Sequence, residues 1–123
     1  MQQYVAIAIG AALGANLRYI IGRWAAGIFG ASFPFGTLLI NVVGSLLIGA
    51  ILGYTSQRAP IGETARLLLV TGLLGGFTTF SSFSWETLAL IGEGRYLPAA
   101  AYACGSVLLG LGAAALGQWL ALR

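Results

Sequence analysis

Ten consecutive residues interrupt an otherwise apolar segment with groups that could bind ions inside a membrane. Residues 75–84 are two glycines followed by pairs of threonine and serine, with three phenylalanines among them. This composition predicts that a membrane helix breaks here. A broken helix presents unpaired carbonyls where its first half ends and unpaired N–H groups where its second half begins. The break is therefore a candidate site for a cation at one end and an anion at the other.

Composition predicts that the whole chain lies in a membrane. Of its 123 residues, 59% are hydrophobic and 7% are charged, whereas charged residues make up about a quarter of a soluble domain. There is no histidine, and Cys104 is the only cysteine, which excludes zinc sites, internal disulfides and histidine acid–base chemistry. We predict a single all-α transmembrane domain, residues 1–123. We expect no enzymatic activity, because no nucleophile–base or acid–base pair can be drawn from these residues.

Four segments are long enough to cross the hydrocarbon core, which needs about 20 residues of helix. The predicted spans are residues 4–21, 35–54, 63–91 and 99–122, and their connections are residues 22–34, 55–62 and 92–98. The first span carries Gly10 and Gly14 at the spacing that lets membrane helices approach closely. The third span contains the break.

A polar stripe runs along the second span, where Thr37, Asn41 and Ser45 fall on one face. Contact between helices is one explanation, because small polar groups bond across membrane helices for around 1 kcal/mol. Asn41 fits that explanation least well, since its primary amide offers two donors near mid-membrane.

The arginines do not favour either orientation of the chain. With four spans, each side of the membrane holds three arginines. One side holds Arg58, Arg66 and Arg123, and the other holds Arg18, Arg23 and Arg95. The positive-inside rule then gives no preference. We infer that the chain inserts both ways and pairs with an inverted copy of itself, as inverted repeats do within single-chain transporters.

Such a dimer would bring two breaks together at the midplane. Carbonyls near Gly75 and Thr78 of both copies could converge on a small hard cation. The alternative is that the glycine pair merely permits close helix crossing, and the sequence leaves both open. Phe77, Phe80 and Phe83 either pack against core and lipid or turn their positive ring edges toward a small anion, together with hydroxyl and amide donors.

Three ordered motifs resemble those of one known family. They are GGFTTFSSFS at residues 75–84, GTLLINVVG at 36–44 and GANLRY at 14–19. Together with the length and the four spans, they are similar to the Fluc (CrcB-type) fluoride channels over essentially the whole chain. The third-helix motif is specific.

The resemblance implies a dual-topology antiparallel homodimer in the bacterial plasma membrane that exports fluoride passively through two pores, each built from both subunits. It implies a structural sodium ion at the dimer centre, held by the backbone carbonyls of Gly75 and Thr78. The fluoride pathway it implies consists of Asn41, Phe80, Phe83, Ser81, Ser82, Tyr102 and Ser106. Some members have a further polar residue one turn beyond the last of these, where this chain has Gly110, which leaves the length of the polar track open.

Two charged residues have alternative interpretations. Arg18, near the predicted end of the first helix, could draw anions into a vestibule or simply reach toward lipid headgroups. Glu86 lies within the second half of the broken helix, and intramembrane acids are functional by default. The resemblance places Glu86 near the pore, where it could be protonated or bonded to a hydroxyl group and so orient donors for the ion.

Two other functions compete with a channel. A proton-coupled secondary transporter needs a deep carboxylate, and Glu86 is the only one; small multidrug exporters instead depend on an acid in the first helix, which is absent from residues 4–17. A noncatalytic membrane assembly subunit would use its glycines for packing only. This alternative predicts that Phe80→Ile and Phe83→Ile have no effect on any ion flux.

Overall fold

The protein is all-α, as the sequence predicts, and the computed structural model describes all 123 residues. Four helical spans are long and apolar enough to cross a membrane. We number the helices α1, Gln2–Phe29; α2, Phe35–Gln57; α3, residues 63–77; α4, Phe80–Gly92; and α5, Tyr96–Leu122. Helices α3 and α4 are the two halves of the third span.

The first helix is longer than predicted. Residues 22–29, which the sequence analysis assigned to a connection, continue α1. Gly22 does not end the helix, because the residues after it are mostly good helix formers or apolar residues that a membrane helix accommodates. Gly30 ends it instead, with φ of 74°, a left-handed conformation that glycine adopts without strain. Arg18 therefore lies eleven residues before the last residue of α1, rather than near its end.

Helix α1 packs against α3 with backbone touching backbone. A Cβ atom on Gly10 would collide with the Leu68 carbonyl oxygen, and one on Gly14 with the Leu73 carbonyl oxygen. From the other side, a Cβ on Gly76 would lie 2.5 Å from the Ala11 carbonyl oxygen. The predicted close approach at Gly10 and Gly14 is thus confirmed, and α3 is the helix that they contact.

Helix α2 packs against α5 in the same manner. Gly49 faces the carbonyl of Ala114, and Gly117 of α5 faces the carbonyl of Leu46, with no room for a Cβ at either glycine. The bundle therefore consists of two closely packed pairs, α1 with α3 and α2 with α5, and α4 lies against α5.

The third span changes its helical form before it breaks. Leu67–Leu74 is a π-helix, and residues 75–77 return to α-helix. The chain is extended at Thr78, with ψ of 159°, and at Thr79, with ψ of 116°. The break is therefore present but begins after the glycine pair rather than at it, because Gly76 is held in the helix by its contact with α1.

Short contacts tie the connections together at both ends of the bundle. Arg58 donates to the Leu122 carbonyl, and Gln3 donates to Glu63 at 3.1 Å, which places both termini at one end. At the other end Arg95 donates to the Ser32 carbonyl and forms an ion pair of 3.5 Å with Glu93. The connections thus alternate between the two ends, as four spans require.

Candidate ion-binding site at the helix break

The extended residues of the break are held by a side chain of α2. The Thr79 N–H donates to Asn41 Oδ1 at 2.8 Å, and Asn41 Nδ2 donates to the Thr79 carbonyl oxygen at 3.1 Å. Thr79 is only 8% exposed, so water does not reach its backbone freely. The Asn41 amide satisfies both backbone polar groups of a residue that has left the helix, as buried backbone requires.

Thr79 also caps the second half-helix. Its hydroxyl oxygen accepts from the Ser82 N–H at 3.2 Å and lies 3.1 Å from the Ser82 hydroxyl and 3.3 Å from that of Ser81. A threonine at this position satisfies one of the N–H groups that begin a helix. Ser81 and Ser82 therefore contact the cap, and neither lines the cavity described below.

We expect Thr79→Ala to lower the stability of the protein by about 1 kcal/mol, the usual effect of losing a hydroxyl cap. The measurement is the thermal unfolding midpoint of the purified protein in detergent. Ser84→Ala is the matched control, because the Ser84 hydroxyl is exposed and bonds only to the Phe80 carbonyl of its own helix. Equal midpoints for the two variants would show that the cap contributes nothing.

The two adjacent glycines have different surroundings. Gly76 is needed for the contact with α1, whereas a Cβ on Gly75 would meet only the Val70 carbonyl oxygen, at an ordinary 3.7 Å. Gly75 is exposed, and Thr78 is half-buried. Close helix crossing therefore explains Gly76 but not Gly75, and the carbonyl end of α3 has open space beside it. Uncharged backbone oxygens at such an end suit an alkali cation.

A central cavity of about 410 Å³ lies beside the break. Its lining includes six of the predicted site residues, namely Asn41, Gly75, Thr78, Phe80, Phe83 and Ser106. The Ser106 hydroxyl is buried and has no hydrogen-bond partner within the chain. A buried hydroxyl of this kind is uncommon, since most buried polar atoms are bonded. It offers the cavity one unused donor.

Aromatic rings lead away from this cavity in one continuous row. Phe80 and Phe83 have ring centroids 5.6 Å apart, Phe83 lies 5.3 Å from Tyr102, and Tyr102 meets Phe33 edge to face at 5.5 Å. Phe80 is 79% exposed in the single chain, and Tyr102 is 1% exposed. The row passes from the surface near the break into the core. Phe77 is excluded from it, because it is buried in the packing of α3.

Glu86 is held by hydroxyl groups of two other helices. Thr37 of α2 donates to Glu86 Oε1 at 2.7 Å, and Tyr102 of α5 donates to Oε2 at 2.6 Å. Glu86 and Thr37 also line a second cavity, of about 320 Å³, at the end of the bundle that holds Arg95. We call it the mouth cavity. Of the two alternatives given for Glu86, the structure shows the hydroxyl contacts. Tyr102 lines neither cavity, but its ring contacts Phe83 of the central cavity and Phe33 of the mouth cavity.

Sequence comparison places the chain among known proteins. The family described as "CrcB-like protein, Camphor Resistance (CrcB)" matches residues 5–118. The chain belongs to the CrcB family. A relative from Chloroflexus aurantiacus is 54% identical over 120 residues, which cover 98% of this chain and 95% of the relative. One from Thermus thermophilus is 51% identical, with coverage of 98% and 94%. Both are named "Fluoride-specific ion channel FluC".

The CrcB assignment confirms the resemblance stated from the three motifs. With four spans and bacterial relatives such as these, this member of the CrcB family is a multi-pass bacterial membrane protein. Arg18 is half-exposed and forms neither a hydrogen bond nor an ion pair within the chain, and it lines neither of the two cavities. The structure therefore brings most of the predicted residues together but leaves Arg18 outside.

Two functional candidates were missed in the CrcB sequence. Thr79 was read as one of several hydroxyl residues, yet its backbone and side chain organise the break. Contact between helices was one explanation for the polar stripe, and Thr37 makes such a contact, but Glu86 was not predicted as its partner. The available signal was the spacing of Thr37 and Asn41, which lie one turn apart on one face of α2. Both bond to residues of the third span, Thr37 to Glu86 and Asn41 to Thr79.

Proposed function

We propose that the protein is a passive fluoride channel that exports fluoride across the bacterial membrane. The name carried by its relatives supports this substrate, and the central cavity supplies suitable chemistry. A small anion is held there by groups without fixed positive charge, namely the Ser106 hydroxyl, one hydrogen of Asn41 Nδ2 that Thr79 does not use, and the edges of Phe80 and Phe83. Weak donors of this kind permit release as well as binding, as conduction requires.

The observation that carries the proposal is the unpartnered Ser106 hydroxyl beside a cavity that Phe80 and Phe83 also line. Within the chain this donor has no acceptor, so a permeating anion would satisfy it. From there the row of rings continues to Tyr102 and Glu86, and beyond them to the mouth cavity. The Glu86 carboxylate is already occupied by two hydroxyl donors, which reduces its repulsion of an anion passing beside it.

We further propose that two copies assemble as an antiparallel homodimer with two pores. The central cavity is open to the surface at Gly75 and Phe80, both exposed in the single chain, so a second copy would complete its wall. The even distribution of arginines supports insertion in both orientations. The carbonyls of Gly75 and Thr78 from both copies would hold a structural sodium ion, which supplies positive charge where the two breaks meet.

Fluoride efflux from liposomes tests the function. We expect purified protein to release trapped fluoride rapidly and electrogenically, so that efflux needs valinomycin to carry compensating potassium and continues without a proton gradient. Chloride released from the same vesicles is the matched control, and we expect it to remain trapped. Fluoride efflux that is fixed in ratio to proton movement would replace the channel by an exchanger, and absence of any flux would favour an assembly subunit.

A further inference from the structure

Asn41 removes a hydrogen-bond donor from the helix that the break interrupts. In a continuous α-helix the Thr79 N–H would donate to the carbonyl of Gly75, four residues earlier. Here that N–H donates to Asn41 Oδ1 instead, at 2.8 Å. The carbonyl of Gly75 has therefore lost its helical donor to a side chain of another helix.

The preceding carbonyl has the opposite environment. Leu74 O accepts from the Thr78 N–H at 3.0 Å and from the Thr78 hydroxyl at 2.9 Å. A carbonyl oxygen has two lone pairs, so both are used at Leu74. A cation that reaches the end of α3 consequently finds a free oxygen at Gly75 and an occupied one at Leu74.

Helix α2 fixes the break at a second point, one turn from Asn41. Gly44 faces Thr78 so closely that a Cβ on Gly44 would collide with Thr78 Cγ2. The two contacts together set the position of α2 against both extended residues. Because Thr79 is buried, its N–H would have no water to bond if the Asn41 amide were removed. The nearest acceptor along the helix is then the carbonyl of Gly75.

We propose that Asn41 is a positioning residue for the cation site, because it binds the backbone N–H and carbonyl of Thr79 and so keeps the Gly75 carbonyl open. This inference rests on the sodium site of the proposed function. It differs from a role as anion ligand, which needs only the second hydrogen of Asn41 Nδ2. One side chain thus acts on the cation through its oxygen and is available to the anion through its nitrogen.

The test is the sodium dependence of thermal unfolding, measured in detergent while sodium replaces N-methylglucamine at constant ionic strength. We expect the wild-type midpoint to rise with sodium and then level off. Asn41→Leu lacks both hydrogen-bonding groups, and we expect its half-saturating sodium concentration to increase at least about tenfold, which corresponds to roughly 1.4 kcal/mol. Asn41→Ser, whose short hydroxyl cannot bridge both Thr79 groups, should shift in the same direction.

Ser45→Ala is the matched control, since Ser45 lies one turn beyond Asn41 and lines the same cavity but forms no hydrogen bond with the break. Its sodium dependence should equal that of the wild type. Unshifted Asn41 variants would overturn the inference, whatever happens to their flux. So would variants that stay unfolded at every sodium concentration, because a weakened site is rescued by mass action.

Fluoride efflux from the same preparations separates this inference from the proposed function. A wild-type protein that responds to sodium but passes no fluoride would overturn the channel and leave the role of Asn41 standing. A wild-type protein that passes fluoride but shows no sodium response would overturn the inference together with the sodium site.

Discussion

Phe83→Ile should reduce fluoride efflux by up to about tenfold while the protein remains folded. Isoleucine keeps most of the apolar volume but has no positive ring edge to turn toward an anion. A hydrogen bond to a charged group contributes about 1.5–3 kcal/mol and a C–H donor about half as much, while each 1.36 kcal/mol changes a rate roughly tenfold. Phe83 joins the central cavity to Tyr102, so its loss interrupts the proposed pathway at a point that no other ring replaces.

The measurement is fluoride efflux from liposomes with matched amounts of protein. Trp85→Leu is the control, because Trp85 lies on the same helix, is 70% exposed and lines neither cavity; its efflux should equal that of the wild type. The thermal midpoint of Phe83→Ile should change little. Wild-type efflux through this variant would remove the ring edges from the mechanism.

Gly14→Ala should force α1 away from α3, and so lower both the stability of the folded protein and the flux. The new methyl group would meet the Leu73 carbonyl oxygen and, at 2.7 Å, the Phe77 nitrogen. Both are backbone atoms, which cannot move aside as a flexible side chain can. Overpacking costs typically 1–3 kcal/mol and occasionally more, and we expect this site to lie at the upper end of that range.

Gly22→Ala provides the comparison on the same helix. A Cβ at Gly22 meets nothing within 4 Å, so the substitution should be neutral or slightly stabilising, since alanine favours helix more than glycine does. The measurement is the yield and thermal midpoint of monodisperse protein after extraction from the membrane. Equal behaviour of Gly14→Ala and Gly22→Ala would contradict the close packing of α1 against α3.

Much of the fold could be predicted because the membrane constrains it strongly. Apolar length locates four spans, and the start of α2 after Pro34 was predicted to the residue. The end of α1 was not, because glycine is tolerated within membrane helices and only the backbone conformation of Gly30 shows which glycine stops this one. The sequence therefore offers several glycines at which α1 could end, but it does not indicate which of them ends the helix.

The site was predicted less completely, because its organisation depends on contacts between helices. The sequence left cation binding and helix crossing as alternative roles for the glycine pair. The structure shows a close helix contact at Gly76 and open space at Gly75. The pairing of Asn41 with the Thr79 backbone joins residues 38 positions apart, and no local pattern indicates it. The predicted antiparallel dimer and its sodium ion remain predictions.

The interrupted third span also has an architectural consequence. Its first half packs against α1 and its second half lies against α5. One span therefore changes its neighbour at the break, and the same two extended residues that leave helical carbonyls open also link the two closely packed helix pairs of the bundle.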